Sequence, residues 1–198
     1  MKTLIVVDVQ NDFLPGGALA VAEGDRVVAP INAMMRDYEL IVATQDWHPA
    51  DHLSFASQHA GKTAGQVIDL EGLEQVLWPD HCVQGSAGAS FASELDVFHF
   101  DAVFRKGTDR QVDSYSGMYD NGKRRDTGLA DFLRRMGAQA VDICGLATDY
   151  CVKFTALDAV AEGFETCVVA EATRAVNLQP GDYDTALLEL RNSGVAIV

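Results

Sequence analysis

Residues 143 to 152 read ICGLATDYCV, with a cysteine six residues beyond the glycine that interrupts an apolar run. A free cysteine is either a small core residue or, where amides or cations favour its ionised form, a nucleophile. Cys151 falls in the first turn of a helical stretch, where unpaired N–H groups and the helix dipole favour a thiolate. The GLAT turn before it crowds the N–H groups of Ala147 and Cys151 near the sulfur, where they can stabilise an oxyanion formed by attack on a carbonyl. Lys106, closing the stretch AVFRK, offers a cation that lowers a thiol pKa. Asp8, closing TLIVVD, offers a carboxylate to take the thiol proton and pass it to a leaving amine. Each residue keeps an inert alternative: Cys151 packed in the core, Asp8 capping a turn, Lys106 lying along the surface. Cys144 and Cys167, set inside apolar runs, read as core.

A second group lies in TQDWHPADHLSF, residues 44 to 55. Asp46 and His48 are two apart, so in extended chain they point to one side. Pro49 disfavours the α region for His48, which argues against a helical pairing of His48 with His52. His81, in WPDHC, is the candidate third ligand. One carboxylate and two imidazoles suit a single divalent transition ion, with zinc, iron and manganese all compatible. The same residues also serve as ordinary hydrogen-bonding loop residues. His59 and His99 have no such company and read as surface residues.

The elements that must position these groups follow from the hydrophobic pattern. The chain has 198 residues, 48% hydrophobic and 22% charged, which suits one domain over residues 1 to 198. The strand at 3 to 9 is nearly all β-branched or aliphatic, the mark of a strand buried on both faces. A helix is expected at 26 to 37, with Pro30 best placed in its first turn, and a strand at 39 to 45. From Asp46 to His99 the chain is rich in Gly, Ser, His and Pro, and a loop region of that length points to function. Alternation then resumes: strand 102 to 106, helix 127 to 137, strand 140 to 146, helix 149 to 163, strand 165 to 171, helix 181 to 194 and strand 195 to 198. This order predicts an α/β fold with right-handed crossovers and a parallel sheet covered on both faces. Ligands bind outside the carboxyl ends of such strands, where Asp8, Asp46, Lys106 and Cys151 all fall.

The formal net charge of −14 disfavours nucleic acid and anionic membrane surfaces as partners. The apolar run in MKTLIVVDVQND is too short for a signal-peptide core or a membrane span, so a cytoplasmic protein is expected. Four cysteines without a CxxC pair read as reduced thiols.

The segments DVQNDFLPGGALAV, QDWHPADHLSFAS, WPDHCVQGSAGA, FRKGTD with YSG following, and GLATDYCV resemble, in order and spacing, the nicotinamidases or pyrazinamidases of the isochorismatase-like cysteine hydrolases. The resemblance covers nearly the whole chain. It implies a three-layer α/β/α fold with a mainly parallel, Rossmann-like six-stranded sheet. It implies a catalytic triad of Asp8, Lys106 and Cys151, with Asp46, His48 and His81 holding one divalent ion, zinc foremost. A histidine matching His52 ligates in some relatives, whereas the serine matching Ser54 lies nearer the ion in others; both stay outside the ligand set here. Phe13 and Trp78 are implied as walls stacking on the substrate ring. Ala147 and Cys151 are implied as the oxyanion hole, after a cis peptide between Leu146 and Ala147. The implied reaction converts the small molecule nicotinamide to nicotinate and ammonia through a cysteine thioester, with pyrazinamide also accepted, in pyridine nucleotide salvage. Isochorismatases and carbamoyl amidases generally lack the metal histidines, and isochorismatases lack the cysteine. Two rivals remain at this level: an amidase for another amide or carbamoyl substrate, and a metal-binding redox sensor in which Cys151 is oxidised. Self-association, which would give a homo-oligomer, is left open by the sequence.

Overall fold

The computed structural model describes residues Met1–Val198. Its central strand, β1 (Thr3–Val7), is buried at every position, as its unbroken aliphatic sequence requires. Alternate residues of β1 face opposite layers. Leu4 and Val6 pack with Ile31 and Met35 on one side of the sheet. Ile5 and Val7 pack with Leu129, Leu133, Ala156 and Leu190 on the other. Each fully buried aliphatic side chain of this kind contributes about 1.5–3 kcal/mol relative to exposure.

The sheet has six strands in the order β5-β2-β1-β6-β7-β8, where β2 is Leu40–Asp46, β5 Ala102–Lys106, β6 Ala140–Leu146, β7 Glu165–Arg174 and β8 Ala196–Ile197. Every pairing in it is parallel. Helix α1 (Val28–Met34) covers one face; α2 (Leu129–Met136), α3 (Lys153–Ala161) and α4 (Asp182–Asn192) cover the other. The result is the expected three-layer α/β/α arrangement. No helix is long and apolar enough to cross a membrane.

The structure departs from the sequence expectations at several points. The first strand stops at Val7, because Asp8 adopts a positive φ of 48° and turns the chain out of the sheet. Strand β2 runs one residue further than expected, so Asp46 is its last residue rather than the residue just past it. The helix expected at 26 to 37 is α-helical only from Val28 to Met34, with 3-10 turns on either side. The loop region holds an antiparallel hairpin, β3 (Val67–Leu70) and β4 (Leu73–Val76), outside the main sheet. Its turn, Glu71-Gly72, has positive φ at both residues, as hairpin turns require. Finally, Thr148–Val152 form a π-helical turn ahead of α3, so Cys151 lies in that turn and not in the first turn of an α-helix. Such turns are frequent at functional sites.

Candidate active site

Four segments meet at the carboxyl edge of the sheet: the residue after β1, the ends of β2 and β5, and the π turn after β6. Lys106 ends β5 and is 2% exposed. Its Nζ lies 2.8 Å from Oδ2 of Asp8 and 2.6 Å from Oδ1 of Asp46. It also donates to the Ser114 carbonyl at 2.8 Å and lies 3.3 Å from Cys151 Sγ. The structure therefore brings Asp8, Lys106 and Cys151 together around one ammonium. Thr44 donates its hydroxyl to Oδ1 of Asp8 at 2.6 Å, which leaves Oδ2 toward the lysine.

Burial sets the electrostatics of this group. It raises the Asp8 carboxyl, with the Lys106 ammonium opposing. Burial works against the charge on Lys106, but Asp46 and Asp8 outweigh it and hold the ammonium well above its ordinary range. Burial also pushes the Cys151 thiol well up; Lys106 opposes this, while Asp8 and Asp46 add to it. Burial thus works against the thiolate expected from a helix start, and the Lys106 ammonium is the neighbour that favours it. Asp46 is the reverse case: burial raises it, but Lys106 and the neighbouring histidines prevail and hold it below the usual carboxylate range.

The second oxygen of Asp46 faces two imidazoles, with His48 Nε2 at 3.5 Å and His81 Nε2 at 3.8 Å. One donor atom from each of the three residues lies within 4.8 Å of the others. Both rings have their Nδ1 fixed on a carbonyl, His48 on Gly107 at 2.9 Å and His81 on Pro79 at 2.8 Å. A carbonyl only accepts, so Nδ1 donates in each ring and the Nε2 lone pairs face the carboxylate. Three electron-pair donors converging on one point fit a divalent transition cation. Burial works against a charge on His48, yet Asp46 raises it; burial and the charge of His48 bring His81 down to about 4. Gly107 is required here, since its φ is +64° and a Cβ would overlap the His48 ring.

His52 stands beside this group with its ring centroid 4.5 Å from that of His48. Its Nδ1 receives the Ser54 N–H at 3.1 Å and lies 2.7 Å from the Ser54 hydroxyl, which places its own proton on Nε2. A protonated ring nitrogen is not a metal ligand. One ring nitrogen of His52 also lies within 4.8 Å of donor atoms of His48 and Asp113. His59 is half-buried on the Leu53 carbonyl, and exposed His99 pairs with Asp96.

Cys151, Asp46 and His81 open into a cavity walled by Phe13, Trp78, Tyr115, Tyr150 and Val176. Trp78 meets Tyr150 edge to face at 4.9 Å and donates its indole N–H to Tyr115 at 3.2 Å. Ala147 also borders this cavity, and the Leu146–Ala147 peptide is cis.

Three contributors were not singled out from the sequence. Gln10, fully buried, clamps the backbone of Asp46 by donating to its carbonyl and accepting its N–H, both at 2.8 Å. Gln75, on the unexpected hairpin, donates to the Asp113 carboxylate at 3.0 Å and to the Tyr115 hydroxyl at 3.2 Å. Thr44 orients Asp8. Gln10 lies inside the DVQNDF motif, but among Asp8, Asn11 and Asp12 nothing marks it as the residue that turns inward, and Gln75 and Thr44 carry no signal either.

The isochorismatase domain family matches residues 2–198 of the chain. The chain is 47% identical over 203 residues to the nicotinamidase of Escherichia coli, covering 99% of this chain and 93% of that protein. Among solved structures it superposes on a nicotinamidase/pyrazinamidase of Acinetobacter baumannii with a TM-score of 0.96 and 42% identity, covering 100% of this chain and 95% of the other. A pyrazinamidase of Pyrococcus horikoshii, solved in complex with zinc, superposes with a TM-score of 0.81 and 39% identity, covering 100% and 98%. The chain belongs to the isochorismatase-domain family and, within it, to the nicotinamidases.

Proposed function

We propose that the protein is a metal-dependent amidohydrolase converting nicotinamide to nicotinate and ammonia, with pyrazinamide as a second substrate, and that residues 1 to 198 act as one domain. The observation that carries this reading is the ammonium of Lys106 joining Asp8, Asp46 and Cys151 at the floor of an aromatic-walled cavity. The solved zinc complex of the Pyrococcus horikoshii pyrazinamidase supports zinc as the ion. Asp46, His48 and His81 would hold it, and when bound it supplies a Lewis acid for the ring nitrogen of the substrate.

Phe13 and Trp78 stack on the ring and aim the carboxamide at Cys151. As sulfur attacks the carbonyl carbon, Asp8 takes the thiol proton, and Lys106 steadies the charges of both. The N–H groups of Ala147 and Cys151 hold the oxyanion. The C–N bond then breaks, Asp8 returns its proton to the departing nitrogen, and ammonia leaves a thioester on Cys151. Asp8 next removes a proton from water, whose oxygen displaces sulfur; nicotinate is released and the thiol regains its proton. The aromatic walls argue against a carbamoyl substrate, and a proton acceptor beside the sulfur argues against a redox sensor. Four free cysteines fit a reducing compartment, which we take to be the cytoplasm.

The test is ammonia release from nicotinamide by metal-replete wild type and by Cys151→Ala. Release by wild type alone is the expected result. No release by wild type would overturn the substrate, and retained release by the variant would overturn the nucleophile.

A further inference from the structure

Asp149 takes no part in the steps above, yet it is 5% exposed and lies two residues before the nucleophile in the π turn. Its Oδ1 accepts the N–H of Val176 at 2.9 Å and its Oδ2 the N–H of Asn177 at 2.8 Å. A carboxylate removed from water is costly unless its oxygens are met, and here both are met by backbone donors. Lys153, one turn further along, pairs with Glu189 at 3.1 Å instead. The two donors lie just past β7, whose last residues Thr173 and Arg174 pair with Gly145 and Leu146 of the strand leading to the nucleophile. Val176 is a wall of the cavity, and Asn177 holds a positive φ of 52°.

We propose that Asp149 is a positioning residue: it fastens the Val176 segment onto the nucleophile turn and so fixes the distance between one wall of the ring pocket and Cys151. This deepens the reading of the site as a nicotinamide hydrolase and rests on it. Asparagine cannot replace the carboxylate here. It offers one acceptor oxygen, and its NH2 group would face the second N–H.

The test compares wild type with Asp149→Asn and Asp149→Ala by steady-state kinetics on nicotinamide and by amide hydrogen exchange of the segment holding Val176 and Asn177. The expected result is a KM raised by about tenfold or more with kcat within about threefold, because a loosened wall weakens ring binding more than chemistry. Exchange at Val176 and Asn177 should quicken by about tenfold or more. A fall in kcat at unchanged KM, or unchanged exchange, overturns the proposal. Should Asp149→Ala fail to fold, Asp149→Asn stands with Val176→Ala, which should raise KM while Asn177 stays protected. A wild type that leaves nicotinamide intact would overturn the functional reading, and the exchange comparison would still decide the clamp.

Discussion

The Nζ of Lys106 lies 2.6 Å from Oδ1 of Asp46, and the other oxygen of that carboxylate faces the Nε2 atoms of His48 and His81. One carboxylate therefore ties the lysine beside the nucleophile to the imidazoles of the candidate metal site. Asp8 shares the same ammonium at 2.8 Å, so the lysine holds apart two carboxylates that would otherwise repel.

Lys106→Met should leave Asp8 and Asp46 buried without their cation. Removing one partner of a buried pair costs about 3–5 kcal/mol, so denaturant unfolding should shift by that order. Turnover should fall by about a thousandfold or more, measured as ammonia release. Near-wild-type activity would exclude Lys106 from the chemistry.

Cys151 should carry the acyl group during turnover. Acid quench of wild type mixed with nicotinamide, followed by mass spectrometry, should find one nicotinoyl group on the peptide containing Cys151. Asp8→Asn, lacking the proton acceptor, should form it about 10²–10⁴-fold more slowly. A label on Cys82, Cys144 or Cys167 would refute the assignment.

His48→Ala should lose the bound ion and weaken substrate binding, whereas His52→Ala, whose ring proton sits on Nε2, should retain it. Elemental analysis after dialysis decides both. Loss of metal from His52→Ala would add that residue to the ligand set.

The acid limb of kcat/KM should report Asp8, which must be ionised to accept the thiol proton. Burial raises its pKa above the usual carboxylate value, so activity is present above that raised value and lost as pH falls through it. The hydrogen bond from Thr44 favours the ionised form and lowers the pKa. Thr44→Val should therefore move the limb to higher pH, and an unmoved limb would detach it from Asp8.

The strands of the main sheet were legible because burial on both faces leaves unbroken runs such as TLIVV, and the polar residues that end them mark the carboxyl edge. The hairpin was hidden because its strands show one residue in four buried, and VIDL and LEQV read as loop. The π turn was hidden because hydrophobic spacing over five residues does not separate it from an α turn. Asp46 and His48 were suggested by their spacing within QDWHP and His81 by its place in WPDHC, but their junction with Lys106 was not, since β2 and β5 pair across a long gap in sequence. Tyr115 lies in the quoted YSG segment, but its place in the cavity, like that of Val176, comes from tertiary packing.

The chain order of the sheet has a consequence for how the protein acquires its activity. Strand β1 pairs with β2 soon after it in the sequence, but with β6 only from far downstream, and the groups at the site come from all three and from β5. Closing so long a loop costs entropy before any contact rewards it, so this pairing forms late. A growing chain on the ribosome therefore holds no working fragment of the site, and in refolding, catalysis should return only after β6 has docked, behind the recovery of helical signal.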